Sequence, residues 1–224
     1  YWVSLETLLD VGSLASDGSL GEDASTTLSV AERVVPNLHI LRHFVYEPAR
    51  KLYFALEDAA RTHDWLPDEL VRDAALRPEE RQRVHYRDIV VNLDAICDAL
   101  RSRGAAAYLL DRCEEKRRFY CDPKDTVANI RKEIKRVKNE LRVVYRVRNR
   151  LVHGAYDKTQ FMGVIAERAA QLLYPLLWQA LESAQVGDEA ALRDAMSIAE
   201  TTVERLLARL DRGTRVDFFS ESWK

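Results

Sequence analysis

The sequence predicts an all-α fold, a helical bundle built on one long basic helix that ends in an Arg-x4-His motif. Three observations predict it. Apolar residues recur at helical spacing along most of the chain, strand-type alternation is nearly absent, and helix-starting and helix-stopping residues bracket each periodic run. With 224 residues, 47% hydrophobic and 31% charged, the composition is that of an ordinary globular chain, so a single domain over residues 1–224 is expected. The chain starts at Tyr1, and Trp2, Leu5, Leu8 and Leu9 already share one helical face, so the segment reads as excised from a longer polypeptide.

After that opening helix, residues 11–28 collect Gly12, Ser13, Ser16, Asp17, Gly18, Ser19, Gly21 and Ser25, which predicts a flexible loop. Ser29-Val30-Ala31-Glu32 fits a capping box, in which hydroxyl and carboxylate each reach an unpaired backbone N–H, so a helix should start there. Pro36, Pro48, Pro67 and Pro78 divide the next stretch into helices near 37–46, 48–63, 67–76 and 79–103. A break is expected at Gly104, then a helix over 105–119. Asp122-Pro123-Lys124-Asp125 is a strong helix start, with an acceptor at the cap, a proline where no N–H is missed and an acid in the positive first turn.

From there Val127, Ile130, Ile134, Val137, Leu141 and Val144 form one apolar stripe, with Arg148 and Leu151 next in series, giving a helix of about 46 Å. Two helices should follow. Asp157 caps one that carries Phe161, Val164, Ile165, Leu172 and Leu176 and kinks near Pro175; Asp188 caps another that carries Leu192, Ala195, Val203, Leu206 and Leu210 and stops at Gly213.

Charge and cysteine content narrow the classes of function. No apolar run approaches the ~20 residues that span a bilayer, and no leader pattern is present, so a soluble, cytoplasmic protein without a membrane partner is expected. Cys97, Cys113 and Cys121 lack C-x-x-C spacing, which argues for structural thiols and against a zinc knuckle; no metal or cofactor site is predicted. Net charge is only −2, but residues 112–150 hold 14 Lys/Arg against 6 Asp/Glu, leaving 20 against 30 elsewhere. That asymmetry marks either a polyanion-binding face on an acidic body or a solvated helix surface.

The chemistry-bearing residues close the long helix. On a wheel advancing about 100° per residue, with Arg148 at zero, Leu151 falls near 300°, Val152 near 40°, Asn149 near 100° and His153 near 140°. Arg148 therefore ends the core-facing stripe, whereas Asn149 and His153 are neighbours on a flank shared by Arg142, Arg146 and Arg150. A guanidinium, an amide and an imidazole are the groups that hold a phosphate and move protons near neutral pH. In the competing reading, His153 beside Gly154 caps the helix and Arg148 is an ion-pair partner. A looser pair, Arg33 and His39, is set aside because Val34 is apolar and Pro36 intervenes.

Arg148-Asn149-x-x-x-His153-Gly154 resembles the Arg-x(4–6)-His signature of the HEPN superfamily (higher eukaryotes and prokaryotes nucleotide-binding). Trp2-Val3-Ser4-Leu5-Glu6-Thr7-Leu8-Leu9 resembles the Leu-Glu-x-Leu opening helix of its Apea-like branch. The resemblance implies an α-helical bundle, a homodimer that brings two motifs to one composite active site, and metal-independent endoribonuclease activity in a toxin or antiviral-defence system. Arg148, Asn149 and His153 would be catalytic and Arg142, Arg146 and Arg150 would bind RNA, with an upstream regulatory domain or an antitoxin as further partners. Two other expectations stand beside it: a non-catalytic RNA- or nucleotide-binding module, and a dimerisation element built on the heptad-like stripe.

Overall fold

In the computed structural model, residues 27–62, 86–102, 104, 107–152, 162–186 and 189–219 are described. Among them are eight α-helices, one π-helical stretch and no strand. No described helix is long and apolar enough to cross a membrane. The chain divides into two compact units, one from residues 1–43 with 130–205, the other from 44–129 with 206–224.

The first unit opens with α1, Thr27–His39, which runs straight through the buried Pro36. Two expectations are corrected here. Ser29 lies inside α1, not at its cap, because Leu28 already packs against the core and draws the helix start upstream; Thr27 and Leu28, placed in the loop by sequence, are helical. A separate helix from residue 37 does not form either. Proline removes a single donor, and the buried Val34, Val35 and Leu38 hold the helix together across it, while the Asn37 side chain donates to the Arg33 carbonyl at 2.8 Å. The disturbance emerges one turn later as the π-helical stretch Ile40–Phe44.

The core of this unit joins α1 to the long helix α6, Pro123–Val152, and to α7, Met162–Val186, and α8, Glu189–Asp211. Val137, Leu141 and Val144 of the predicted stripe meet Ala31, Val34, Val35 and Leu38 of α1 and Leu172, Leu173 and Leu176 of α7. Pro175 is buried inside α7 and does not interrupt it. Val164, expected on the apolar face of α7, is instead 66% exposed; Tyr174, Trp178 and Leu181 of the same helix are exposed as well.

The second unit holds α2, Glu47–Thr62, α3, Tyr86–Val91, α4, Leu93–Ser102, and α5, Ala107–Cys121, which pack on one another. One helix expected over 79–103 is divided at Asn92, whose carbonyl accepts the first bond of α4, from Ile96 N at 2.9 Å. Asparagine at such a cap competes well with a continuous helix. Gly104, at φ 64°, ends α4 as expected, and Gly213, at φ 77°, ends α8. At the start of α6, Asp122 Oδ1 accepts Lys124 N at 2.9 Å, the predicted cap with Pro123 as first helical residue.

An aromatic cluster of Phe44, Phe119, Tyr120 and Phe218 fills this unit's centre. Tyr120 donates to the Val45 carbonyl at 2.8 Å and accepts Ala49 N at 3.1 Å, which satisfies one of the first-turn donors of α2 that no intrahelical carbonyl can reach. Cys97 and Cys113 are buried free thiols, Cys113 being pushed up to about 12 by burial; Cys121 is half-buried.

The predicted loop over 11–26, the helix at 67–76, and Asp157, Phe161 and Asp188 lie outside the described residues, as does the side chain of Leu192.

Candidate functional site

The site read from the sequence sits at the last turns of α6. There the stripe that is buried at Val144 surfaces: Arg148 and Asn149 are half-buried, and Leu151 is 42% exposed. A long helix outlasting its core has this consequence, since the same face that buries Leu141 has less to pack against beyond it. Arg148 Nη1 donates to Asn149 Oδ1 at 3.1 Å, so the guanidinium and the amide are brought together. His153 and Gly154 lie outside the described residues.

The three flanking arginines differ. Arg142 is held by Glu32 of α1 through a fork of two bonds, Nε at 2.6 Å and Nη2 at 2.9 Å, so its charge is matched before any ligand arrives. Arg146 and Arg150 are exposed and have no ionic or hydrogen-bonded partner among the described residues.

Sequence reading missed a second cluster, in the same unit. His39, which is 6% exposed, pairs its Nε2 with Glu133 Oε1 at 2.8 Å. Arg136 bonds both Glu133 and Glu140, and Arg168 of α7 forks onto Glu140 at 3.0 and 2.8 Å. Burial acts to raise the Glu133 carboxyl, yet the hydrogen bonds from Arg136 and His39 outweigh it and hold the group down to about 2; the same contacts raise Arg136. The signal available was the Glu133-x-x-Arg136-x-x-x-Glu140 ladder, whose members share one helical face. An imidazole against a carboxylate is the pattern of an oriented acid/base, but the His39 ring is enclosed and its Nδ1 is buried without a partner. Enclosure bars proton exchange with a substrate, so this cluster is a strut between α1, α6 and α7. The pair set aside by sequence, Arg33 and His39, does not converge: Arg33 turns to Glu200 at 3.7 Å.

In the other unit, a groove of about 460 Å³ between α2 and α5 is lined by Lys51, Phe54, Asp58, Arg112, Glu115 and Lys116, among others, and holds none of the predicted residues. Its charges are largely matched, Lys116 by Glu115 at 2.7 Å and Lys51 by Glu47 at 3.6 Å. Among the described residues no set of three or more His, Cys, Asp and Glu side chains is arranged to hold a metal ion.

Comparison of the chain with protein-family models, with curated proteins and with solved structures finds no match.

Proposed function

We propose that this chain is a metal-independent endoribonuclease of the HEPN type, with Arg148, Asn149 and His153 as its catalytic set. The observation that carries the reading is the Arg148–Asn149 contact of 3.1 Å at the half-exposed end of a basic helix, with His153 following Asn149 by four residues in the sequence. RNA brings its own nucleophile, the 2′-hydroxyl. The protein has to remove that proton, neutralise the crowded phosphorane and protonate the departing 5′-oxygen. His153 is the acid/base, Arg148 clamps the phosphate, and Asn149 holds the guanidinium fork towards it.

One imidazole cannot be base and acid at the same instant of a concerted transfer, so a second copy of the chain supplies the other across a composite cleft. The products are a 2′,3′-cyclic phosphate and a 5′-hydroxyl, and DNA is inert because it lacks the nucleophile. Such an activity suits a cytoplasmic toxin or antiviral effector, restrained by an upstream domain or an antitoxin.

The purified chain should cleave RNA in EDTA, and His153→Ala should lower the rate by at least about 100-fold, the usual worth of a positioned acid/base. Equal cleavage by the two proteins, or cleavage of DNA, would end the reading. RNA affinity with no cleavage under any condition would favour a binding module instead, a reading that the basic face of α6 also supports.

A further inference from the structure

Charge along α6 is sorted by face. At about 100° per residue, Arg131, Lys132, Lys135, Lys138, Arg142, Arg146 and Arg150 share a sector of roughly 120°, while Arg136, Arg148 and the helix's carboxylates, Asp125, Glu133 and Glu140, lie outside it. The contacts agree with the wheel: Glu133 and Glu140 are taken up by His39, Arg136 and Arg168. On the basic face, Lys132, Lys135, Arg146 and Arg150 are exposed, Lys138 is half-buried, and none of the five has an ionic or hydrogen-bonded partner among the described residues. Arg142 is matched by Glu32, a carboxylate that α1 brings to this face, and Arg131 is engaged as well.

Five unmatched cations on one face repel one another, and a polyanion relieves that repulsion while releasing its own condensed counterions. The row extends about 27 Å along the helix axis from Lys132 to Arg150, and its last members recur every four residues, about 6 Å apart along that axis. A flexible strand can lay one phosphate against each such step. A duplex holds its phosphates in two rigid rows that cannot bend to follow cations spread over such a sector, so it meets only a few of them.

The geometry points to a track for single-stranded RNA along α6, formed by Lys132, Lys135, Lys138, Arg146 and Arg150 and leading to the Arg148 end, with Glu32 withdrawing Arg142 from it. The choice of RNA rests on the ribonuclease reading; the track itself rests on the unmatched charges. Glu32 thereby sets the strength of the track, because it keeps Arg142 occupied.

The test uses the full chain carrying His153→Ala, a fluorescent unstructured oligouridylate and a blunt RNA duplex of equal length, with affinity followed by anisotropy against salt. Five phosphates neutralised predict a log–log slope of about −3.5 for the single strand, at roughly 0.7 per contact. Lys132→Glu, Lys135→Glu and Lys138→Glu combined should flatten it by about 2, and Glu32→Gln should steepen it by about 0.7 and tighten binding. A slope unmoved by both variants, equal or tighter binding of the duplex at every salt, or equal competition by polyglutamate of matched charge would overturn the track. The two readings separate cleanly: the expected slopes with RNA left uncut by the native chain would uphold the track and end the nuclease, whereas cleavage with unmoved slopes would end the track alone.

Discussion

Glu133 illustrates what a single enclosed carboxylate contributes. Its side chain is 13% exposed and receives hydrogen bonds from His39 and Arg136, which is why it stays ionised down to about 2. A carboxyl held below its unfolded value of about 4.3 adds stability that is complete above that value and disappears as pH falls through the folded one. Glu133→Gln should therefore cost on the order of 2 kcal/mol at neutral pH, less than a fully buried pair because Arg136 is 37% exposed. Urea unfolding across pH should show the gap between native and variant proteins constant above about pH 5 and closing towards pH 2. A gap independent of pH would mean that the carboxylate's charge has no part in the fold. Arg142 and Glu32 form an ion pair of a different kind. Their fork is exposed on the arginine side, so it adds little to stability, but it decides how much positive charge α6 offers to a ligand.

At the scale of elements, local chemistry sets where helices end. Gly213 closes α8 at φ 77°, with Gly213 N bonded to the Leu210 carbonyl at 2.9 Å and Thr214 N to that of Arg209 at 3.0 Å. A Cβ there would touch nothing within 4 Å, so the cost of Gly213→Ala is purely conformational, about 1–2 kcal/mol for a left-handed residue. Asp122→Ala, which removes the acceptor for Lys124 N, should cost about 1 kcal/mol. Thermal melts of the two variants check both figures, and an unchanged midpoint for Gly213→Ala would show that the helix end rearranges freely. The first turn of α2 obeys a different rule. Its Ala49 N–H is satisfied by Tyr120, 71 residues away in sequence, so that end is fixed by packing and not by a neighbouring cap.

For the molecule as a whole, two separate cores mean that the candidate site is supported by one of them, the set of α1, α6 and α7 side chains around Val137 and Leu141. The proposed chemistry needs a second copy of the chain as well. If the cleft is composite, specific activity should fall on dilution in step with the dimer fraction measured by analytical ultracentrifugation. Activity per chain that stays constant where only monomer remains would rule out a shared cleft.

Much of the fold was legible in the residues. Asp122-Pro123, Gly104 and Gly213 act through bonds to their own neighbours, and the Val127-to-Val144 stripe is a property of helical repeat, so each could be placed without coordinates. Asn92 was legible in kind but overlooked, because the apolar residues Ile89, Leu93 and Ile96 keep helical spacing across it and mask the cap. Pro36 misled for the opposite reason, its local cost being overridden by burial of the residues around it. Of the candidate site, the sequence by itself determined residue types and helical faces: which groups can clamp a phosphate or carry a proton, and that Arg146, Asn149 and Arg150 share one flank. Only the tertiary structure decided which charges are already matched. Arg142 meets Glu32 across 110 residues and His39 meets Glu133 across 94, and spacing along a chain carries no information about partners that folding brings together from so far apart.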